Sequence, residues 1–427
     1  MARRITVASL QLRAHDREAF TDYRPALLDR IATACSEDVD LLVVPESTFP
    51  SYVLGDADVD DGEVERAVLE LQSIAARTRT VIVAGAAIRR DGALRNVALV
   101  VDSDGSVAGS AAKIFLWHFD RKWFAPGEQL APVRTSIGTI GALVCADGRI
   151  PEIASSLVDR GAEVLVMPTA WVTSGRDPAR LENAQADLLA RVRAFENGVP
   201  FVAANKCGVE LGMVAYCGKS QVVDASGSIV AMASEKNEET IRATIELQEP
   251  APYRISSETP ATRAAAVASV FRVAISIEPL DADIERQLAI LDADVAVGPD
   301  DASVAALDAI APAVILDAES LFDPTLLGRY RQAGNRIAVA HARDASPWTE
   351  TVARARAMEL RMYVIVLDHA QHRAYAADPD GVIVAGTFDD FRLASVPVDL
   401  RKTEQMTVAP GTDIDDGLER VRLMARR

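Results

Sequence analysis

Cys145 closes a strongly apolar run, ALVC, and is followed at once by Ala-Asp-Gly-Arg-Ile-Pro-Glu, with Pro151 marking the start of a helix. A thiol on a sharp strand-to-helix turn lies over backbone N–H groups and the positive end of a helix. That setting lowers its pKa and makes an accessible thiolate nucleophile. The same pattern also suits a buried structural cysteine. Glu46 follows the run LLVVP, at the carboxyl end of a strand, where ligand crevices form in open α/β sheets and a general base belongs. It reads equally as an ordinary strand-end glutamate. Lys113 stands isolated among small and apolar residues in AAKIF, either as an ammonium with a purpose or as a lysine whose stem snorkels to the surface. Cys35, Cys207 and Cys217 lack such a turn and read as structural.

Taken together, VVPE, then Lys113 followed by a loop ending in FAPG, then VCADGRIPE, PTAW and RAFEN form a series. Their order and spacing resemble the nitrilase, or carbon-nitrogen hydrolase, superfamily of Glu-Lys-Cys amidases over roughly residues 3 to 248. The resemblance implies an α/β fold, a four-layer α-β-β-α sandwich, with no metal and no organic cofactor. It also implies Cys145 as nucleophile, Glu46 as general base and acid, and Lys113 as the cation facing the tetrahedral intermediate, with the backbone N–H of Ala146 beside it. The family's further loop glutamate falls, counting back from Gly127, on Asp120, a side chain one methylene shorter. Glu128, beyond the Pro-Gly, is the reserve for that role. Trp117, His118 and Trp123 crowd the same loop and Trp171 follows the next strand. They suggest an aromatic-walled substrate pocket, or rings that merely pack the loop. Asp147 and Arg149 match the family's CxDxR pattern and read as braces of the turn. His369 and His372 in HAQH follow a strand and have no evident third metal ligand.

These residues need a frame that carries them to one place. Short β-branched runs alternate with helical patterns through the first 250 or so residues, the rhythm of a layered α/β domain. The reading is therefore a catalytic domain over 1–248, a Pro/Ser/Thr-rich linker over 249–266, and a second α/β domain over 267–427. The second domain reads as a shortened copy of the first, with Pro324 on Pro151 and Glu359 on Glu196, and closing hairpins DASGSIVA and DPDGVIVA. In that alignment Asp300 replaces Glu46, Ala318 replaces Cys145, and the block holding Lys113 has no counterpart. A degenerate, non-catalytic copy is expected, paired with the first domain inside one chain as an intrachain pseudo-dimer, with further homo-oligomerisation open.

Composition narrows the partners. With 427 residues, 45 Lys+Arg against 62 Asp+Glu and a net charge of −17, the chain is a poor match for nucleic acid or an anionic membrane. No apolar run approaches the roughly 20 residues that span a bilayer, and the N-terminus reads as a strand, not a signal peptide. Four cysteines without metal-ligand spacing fit a reducing, cytoplasmic setting. There is no glycine-rich nucleotide fingerprint. The expected activity is that of an amidase or N-carbamoyl amidohydrolase acting on a small amide or carbamoyl substrate through a Cys thioester. Nitrile hydrolysis is the alternative, disfavoured because true nitrilases usually carry Trp-Glu after the cysteine. A Cys-His hydrolase using His118 and a non-catalytic binding or scaffold protein are the other rivals.

Overall fold

The structure, a computed structural model, describes residues 3–35, 38–56, 58–177, 179–249 and 260–425. The chain divides into two compact units, Met1–Tyr253 with Ala409–Arg427, and Arg254–Val408. The expected linker lies largely outside the described residues.

The first unit opens with β1 (Arg3–Arg13), α1 (Phe20–Ala34), β2 (Leu41–Val43), α2 (Asp61–Thr78), β3 (Val81–Arg90), β4 (Ala93–Val101) and β5 (Val107–Ala112). It continues with β6 (Val133–Thr135), β7 (Gly138–Ala142), α3 (Pro151–Asp159), β8 (Val164–Pro168), α4 (Ala190–Asn197) and β9 (Phe201–Ala204). The strands β10 (Lys206–Glu210), β11 (Val214–Cys217), β12 (Gln221–Val223), β13 (Ile229–Met232) and β14 (Glu239–Leu247) complete it. One sheet runs β11-β10-β1-β2-β3-β4-β5, with β14 antiparallel to β1 along Arg3–Gln11; the other runs β13-β12-β9-β8-β7-β6.

The layers follow from the apolar patterns. On α2, Val64, Ala67, Leu71, Ile74 and Ala75 are buried, one face at helical spacing. The Asp60 side chain caps that helix by accepting from the Glu63 N–H, and Arg79 ends it in a left-handed conformation. α1 and α2 cover the first sheet, α3 and α4 cover the second, and β1, β2 and β3 face β8 and β9 across the middle. The short strands β2, β8 and β9 are buried on both faces, which is why they read as unbroken apolar runs. The result is the four-layer α-β-β-α sandwich expected from the sequence, and the parallel strands β2, β7, β8 and β9 all end on the same side of it.

The second unit contains β15 (Val270–Ile275), α5 (Ala282–Leu291), β16 (Val295–Val297), α6 (Asp301–Ile310), β17 (Ala313–Asp317), α7 (Leu326–Gln332), β18 (Ile337–Ala342) and α8 (Thr349–Leu360). Then come β19 (Tyr363–Asp368), β20 (Arg373–Ala377), β21 (Ile383–Gly386), β22 (Ala394–Asp399), α9 (Arg401–Glu404) and β23 (Thr407–Ala409). Here β15 pairs parallel with β16 and antiparallel with β22, as β1 does with β2 and β14. The sheet β17-β18-β19-β20-β21 has the strand directions of β7-β8-β9-β12-β13, and an irregularity falls in the last pair of both. A buried ion pair recurs as well. Arg193 of α4 bonds Glu196 at 2.6 Å and the Gly148 carbonyl at 3.0 Å; Arg356 of α8 bonds Glu359 at 2.6 Å and the Leu321 carbonyl at 2.8 Å.

One boundary differs from expectation. Residues 409–427, read from the sequence as the end of the second domain, belong with the first unit. After β24 (Thr412–Asp413), helix α10 (Ile414–Ala425) packs against α3, and Gly417 sits so close to Phe115 and Ile150 that a Cβ there would lie 2.8 Å and 3.1 Å from their side chains. The Thr412 hydroxyl accepts from the His118 N–H at 2.6 Å. The sequence reading missed this because a tail that returns to an earlier unit leaves no local pattern. Replacing Gly417 with valine should therefore lower the thermal midpoint, at an overpacking cost of about 1–3 kcal/mol. Melting followed by circular dichroism checks this, and an unchanged midpoint would mean that the tail is not docked on Phe115.

Candidate active site

Glu46 owes its position to the end of β2. The loop Pro45–Phe49 passes so close to β3 that a Cβ on Gly85 would lie 2.4 Å from the Glu46 Cα, so only glycine fits there. The Glu46 N–H donates to the Thr169 carbonyl at 3.2 Å, which ties the loop to the end of β8. Its side chain is fully buried. Oε1 accepts from Lys113 Nζ at 2.8 Å and from Asn96 Nδ2 at 2.7 Å, while Oε2 has no hydrogen-bond partner among the described residues.

Lys113 directly follows β5, and its backbone is fixed on both sides: its N–H donates to the Asn96 carbonyl, and its carbonyl accepts from Gly127. A Cβ on Gly127 would strike the Ala112 carbonyl at 2.4 Å, which explains the glycine of the FAPG block. The ammonium group is completely buried and also meets Asp120 Oδ2 at 2.5 Å. Burial by itself would lower the Lys113 pKa, but Asp120 and then Glu46 outweigh it and hold the ammonium well above its ordinary value. Asp120 is also fully buried, and its Oδ2 accepts from the Trp117 N–H at 3.0 Å. Glu128, the reserve candidate, is 72% exposed beside Arg95 at 3.5 Å and lies away from the lysine.

Cys145 opens a 3-10 turn, Cys145–Arg149, between β7 and α3, with φ at +46°, a strained value for a residue with a Cβ. Asp147 braces this turn: its Oδ1 accepts from the Ile114 and Phe115 N–H groups and its Oδ2 from that of Val144. The cysteine turn and the lysine segment are thus fastened to one carboxylate, which burial nonetheless pushes up to about 7. The expectation of a lowered thiol pKa is overturned. Burial first, and the Glu46 charge second, push the Cys145 thiol well above its ordinary range, more than Lys113, Thr169 and the Ala170 N–H pull it down. The α3 helix begins only at Pro151, too far along the chain for its dipole to dominate.

Ala146 follows Cys145 in the turn and is buried. Trp171, 1% exposed, is held by its N–H to Asn205 Oδ1 at 2.7 Å, and its buried indole Nε1 has no hydrogen-bond partner among the described residues. Trp117 is half-buried, and its ring lies 4.6 Å from the Arg149 guanidinium; this contact makes it part of the loop packing. His118 is exposed, with its ring against Phe119, an outward setting that does not suit a general base for Cys145. His369 pairs with His341 at 3.0 Å, whereas His372 is exposed beside Glu278, so the HAQH histidines do not converge.

Several residues at this site were not singled out from the sequence: Asn96, Tyr52, Asn205, Lys206, Glu210 and Tyr216. Tyr52 is 1% exposed with Lys113 Nζ 5.8 Å from its ring, and it packs against Phe119 and Tyr216. Tyr52, Phe119, Trp123 and Tyr216 pack into one aromatic cluster beside Lys113. Tyr52, six residues beyond Glu46, and the polar pair Asn205-Lys206 closing the run VPFVAA were the available signals.

The sequence is 30% identical over 159 residues to the "Probable nitrilase C965.09" of Schizosaccharomyces pombe, a match covering 37% of this chain and only 56% of the yeast protein. It is 31% identical over 223 residues to an (R)-stereoselective amidase of Pseudomonas sp., covering 52% of this chain and 77% of the amidase. Among solved structures, the carbon-nitrogen hydrolase from Helicobacter pylori G27 superposes with a TM-score of 0.50 at 27% identity, over 57% of this chain and 89% of that one. No helix among the described residues is long and apolar enough to cross a membrane. Residues 6–255, more than half of the chain, match the carbon-nitrogen hydrolase sequence model, and the chain belongs to that family.

Proposed function

We propose that the first unit hydrolyses the carbon-nitrogen bond of a small amide or carbamoyl compound through a thioester on Cys145. The observation that carries this reading is the free oxygen of Glu46. A buried carboxylate spends Oε1 on Lys113 and Asn96 and leaves Oε2 unpartnered, and it is the largest charge acting on a thiol that burial keeps protonated. Such a thiol is inert without a base, and Glu46 is the base at hand.

In the forward step the Sγ–H proton passes to Glu46 Oε2 as sulfur attacks the carbonyl carbon. The developing oxyanion is held by the Lys113 ammonium and the Ala146 N–H. Glu46 returns the proton to the leaving nitrogen, the C–N bond breaks, and ammonia or an amine departs from the thioester. Water then gives a proton to Glu46 and its oxygen to the acyl carbon. Collapse expels the sulfur, which takes the proton back, and releases the acid. Asp120 keeps Lys113 charged throughout without drawing it away from Glu46, because its carboxylate meets the ammonium from a different segment. The match to an (R)-stereoselective amidase supports an amide among the candidate substrates.

The second unit reads best as a degenerate copy that takes no part in the chemistry. Supporting this are the matching strand orders and the Arg193–Glu196 and Arg356–Glu359 pairs. The position aligned with Glu46 is Asp300, which caps α6 by accepting from the Ser303 N–H. The position aligned with Cys145 is Ala318, at the head of a 3-10 turn of the same length and without the positive φ.

Cys145→Ala should abolish ammonia release from every accepted substrate in a panel of amides, ureido acids and nitriles while leaving the melting curve intact; substantial turnover by the purified variant would end the thioester route. A panel in which only nitriles react would redirect the reading to nitrile hydrolysis. Lys113→Ala should lower kcat by about 10²-fold or more, the scale for losing an oxyanion partner, and a change confined to KM would make the lysine a substrate-binding group only. Asp120→Asn keeps an acceptor for the Trp117 N–H but removes a charge from Lys113. It should lower kcat in steady-state assays, and unchanged kcat would exclude Asp120 from the site's electrostatics.

A further inference from the structure

Next to the Glu46–Lys113–Asp120 cluster lies a second buried ion pair that the reaction scheme does not use. Lys206 and Glu210 stand four residues apart on β10, 1% and 0% exposed, with Nζ 3.4 Å from Oε2. Two charges withdrawn from water contribute little net stability compared with apolar side chains of the same size, so their presence calls for another account. Their remaining bonds supply it. Lys206 Nζ donates to the carbonyl of Ser47, the residue after Glu46, at 3.3 Å. Glu210 Oε1 accepts from the Val53 N–H at 2.6 Å, and its Oε2 accepts from the Tyr216 hydroxyl at 2.6 Å. The pair therefore grips both ends of the segment 47–53 that leads away from Glu46. That segment needs gripping, because Ser47 has φ at +43°, a costly conformation for a side-chain-bearing residue. It also carries Tyr52, whose ring lies 5.8 Å from Lys113 Nζ and 5.9 Å from Lys206 Nζ, between the two ammonium groups.

We propose that Lys206 and Glu210 are positioning residues for the general base, holding the Ser47–Val53 segment so that Glu46 keeps one orientation through both proton transfers. This rests on the reading of Glu46 as the base of a Cys145 hydrolase. The pair acts through the main chain beside Glu46 and through the Tyr52 ring.

Removing one partner alone leaves a buried uncompensated charge, so the test removes both in matching shapes. Lys206→Met/Glu210→Gln keeps an amide oxygen to accept from the Val53 N–H and turns the bond to Tyr216 round, the amide N–H donating to the hydroxyl oxygen, but deprives the Ser47 carbonyl of its donor. The double variant should fold, keep KM, and lose about 10²-fold in kcat, the scale for a small misplacement of a reacting group. Alkylation of Cys145 by iodoacetamide should slow in parallel, because it depends on the same proton transfer. Lys206→Arg, which retains a cation and a donor for Ser47, should recover most of both rates. A folded double variant with unchanged kcat and unchanged alkylation overturns the proposal. If the double variant does not fold, Glu210→Gln alone decides: a fall in kcat at constant KM supports the positioning role, and an unchanged kcat refutes it. Should the parent protein turn over no amide, ureido acid or nitrile, the proposed function fails, and the alkylation rates still judge Lys206 and Glu210 independently.

Discussion

Taking an ammonium group out of water costs several kcal/mol, recovered only when anions with good geometry replace the lost solvent. Lys113 is taken out of water completely, and two carboxylates, Glu46 and Asp120, are buried with it. They come from distant parts of the chain, one from the loop after β2 and the other from the turn after β5. Much of the first unit can be understood as what it takes to deliver them. Glycines at 85 and 127 let backbones approach to distances that no other residue permits, and Asp147 fastens the lysine segment to the cysteine turn through three N–H groups. The C-terminal helix closes over Phe115, two residues past the lysine.

That constraint explains what a copy without chemistry would keep and lose. A buried Lys–Glu–Asp cluster is expensive and is worth maintaining only while it does something that an apolar core cannot. Among the described residues of the second unit, the position aligned with the acid in the proposed copy is a helix cap, Asp300, and the position aligned with the cysteine is Ala318, without the positive φ. The Arg356–Glu359 pair persists, because its guanidinium satisfies a buried carbonyl at the end of a neighbouring turn as well as the carboxylate.

The legibility of the sequence follows the range of the interactions. Glu46, Lys113 and Cys145 stand out because each sits in a short block whose local geometry needs specific neighbours, Pro45, the distant Pro-Gly, and the CADGR turn. Asp120 could be found by counting from Gly127, because both are fixed to one loop. Asn96, Tyr216 and Glu210 could not, since each reaches the site through strand pairing or packing that no local pattern encodes. The return of 409–425 to the first unit is hidden for the same reason. The thiol differs from its sequence expectation for another reason: a turn suggests nearby N–H donors, whereas burial and then the Glu46 carboxylate push the thiol up.

The direction of that shift matters for the mechanism. Burial and a neighbouring carboxylate both favour the protonated thiol, so in the proposed reaction the thiolate would form only as the proton leaves for Glu46. In that reaction the rate would depend on how faithfully Glu46 holds its oxygen in line with that proton, and less on the resting charge of the sulfur. A carboxylate held at Oε1 by Lys113 and Asn96 still moves with its own backbone. The bonds that could restrain that movement are those of Glu46 N–H to Thr169 and of Ser47 to Lys206, one on each side of the Glu46 Cα. Proton transfer at a buried thiol would thus make demands on the main chain on both sides of the base.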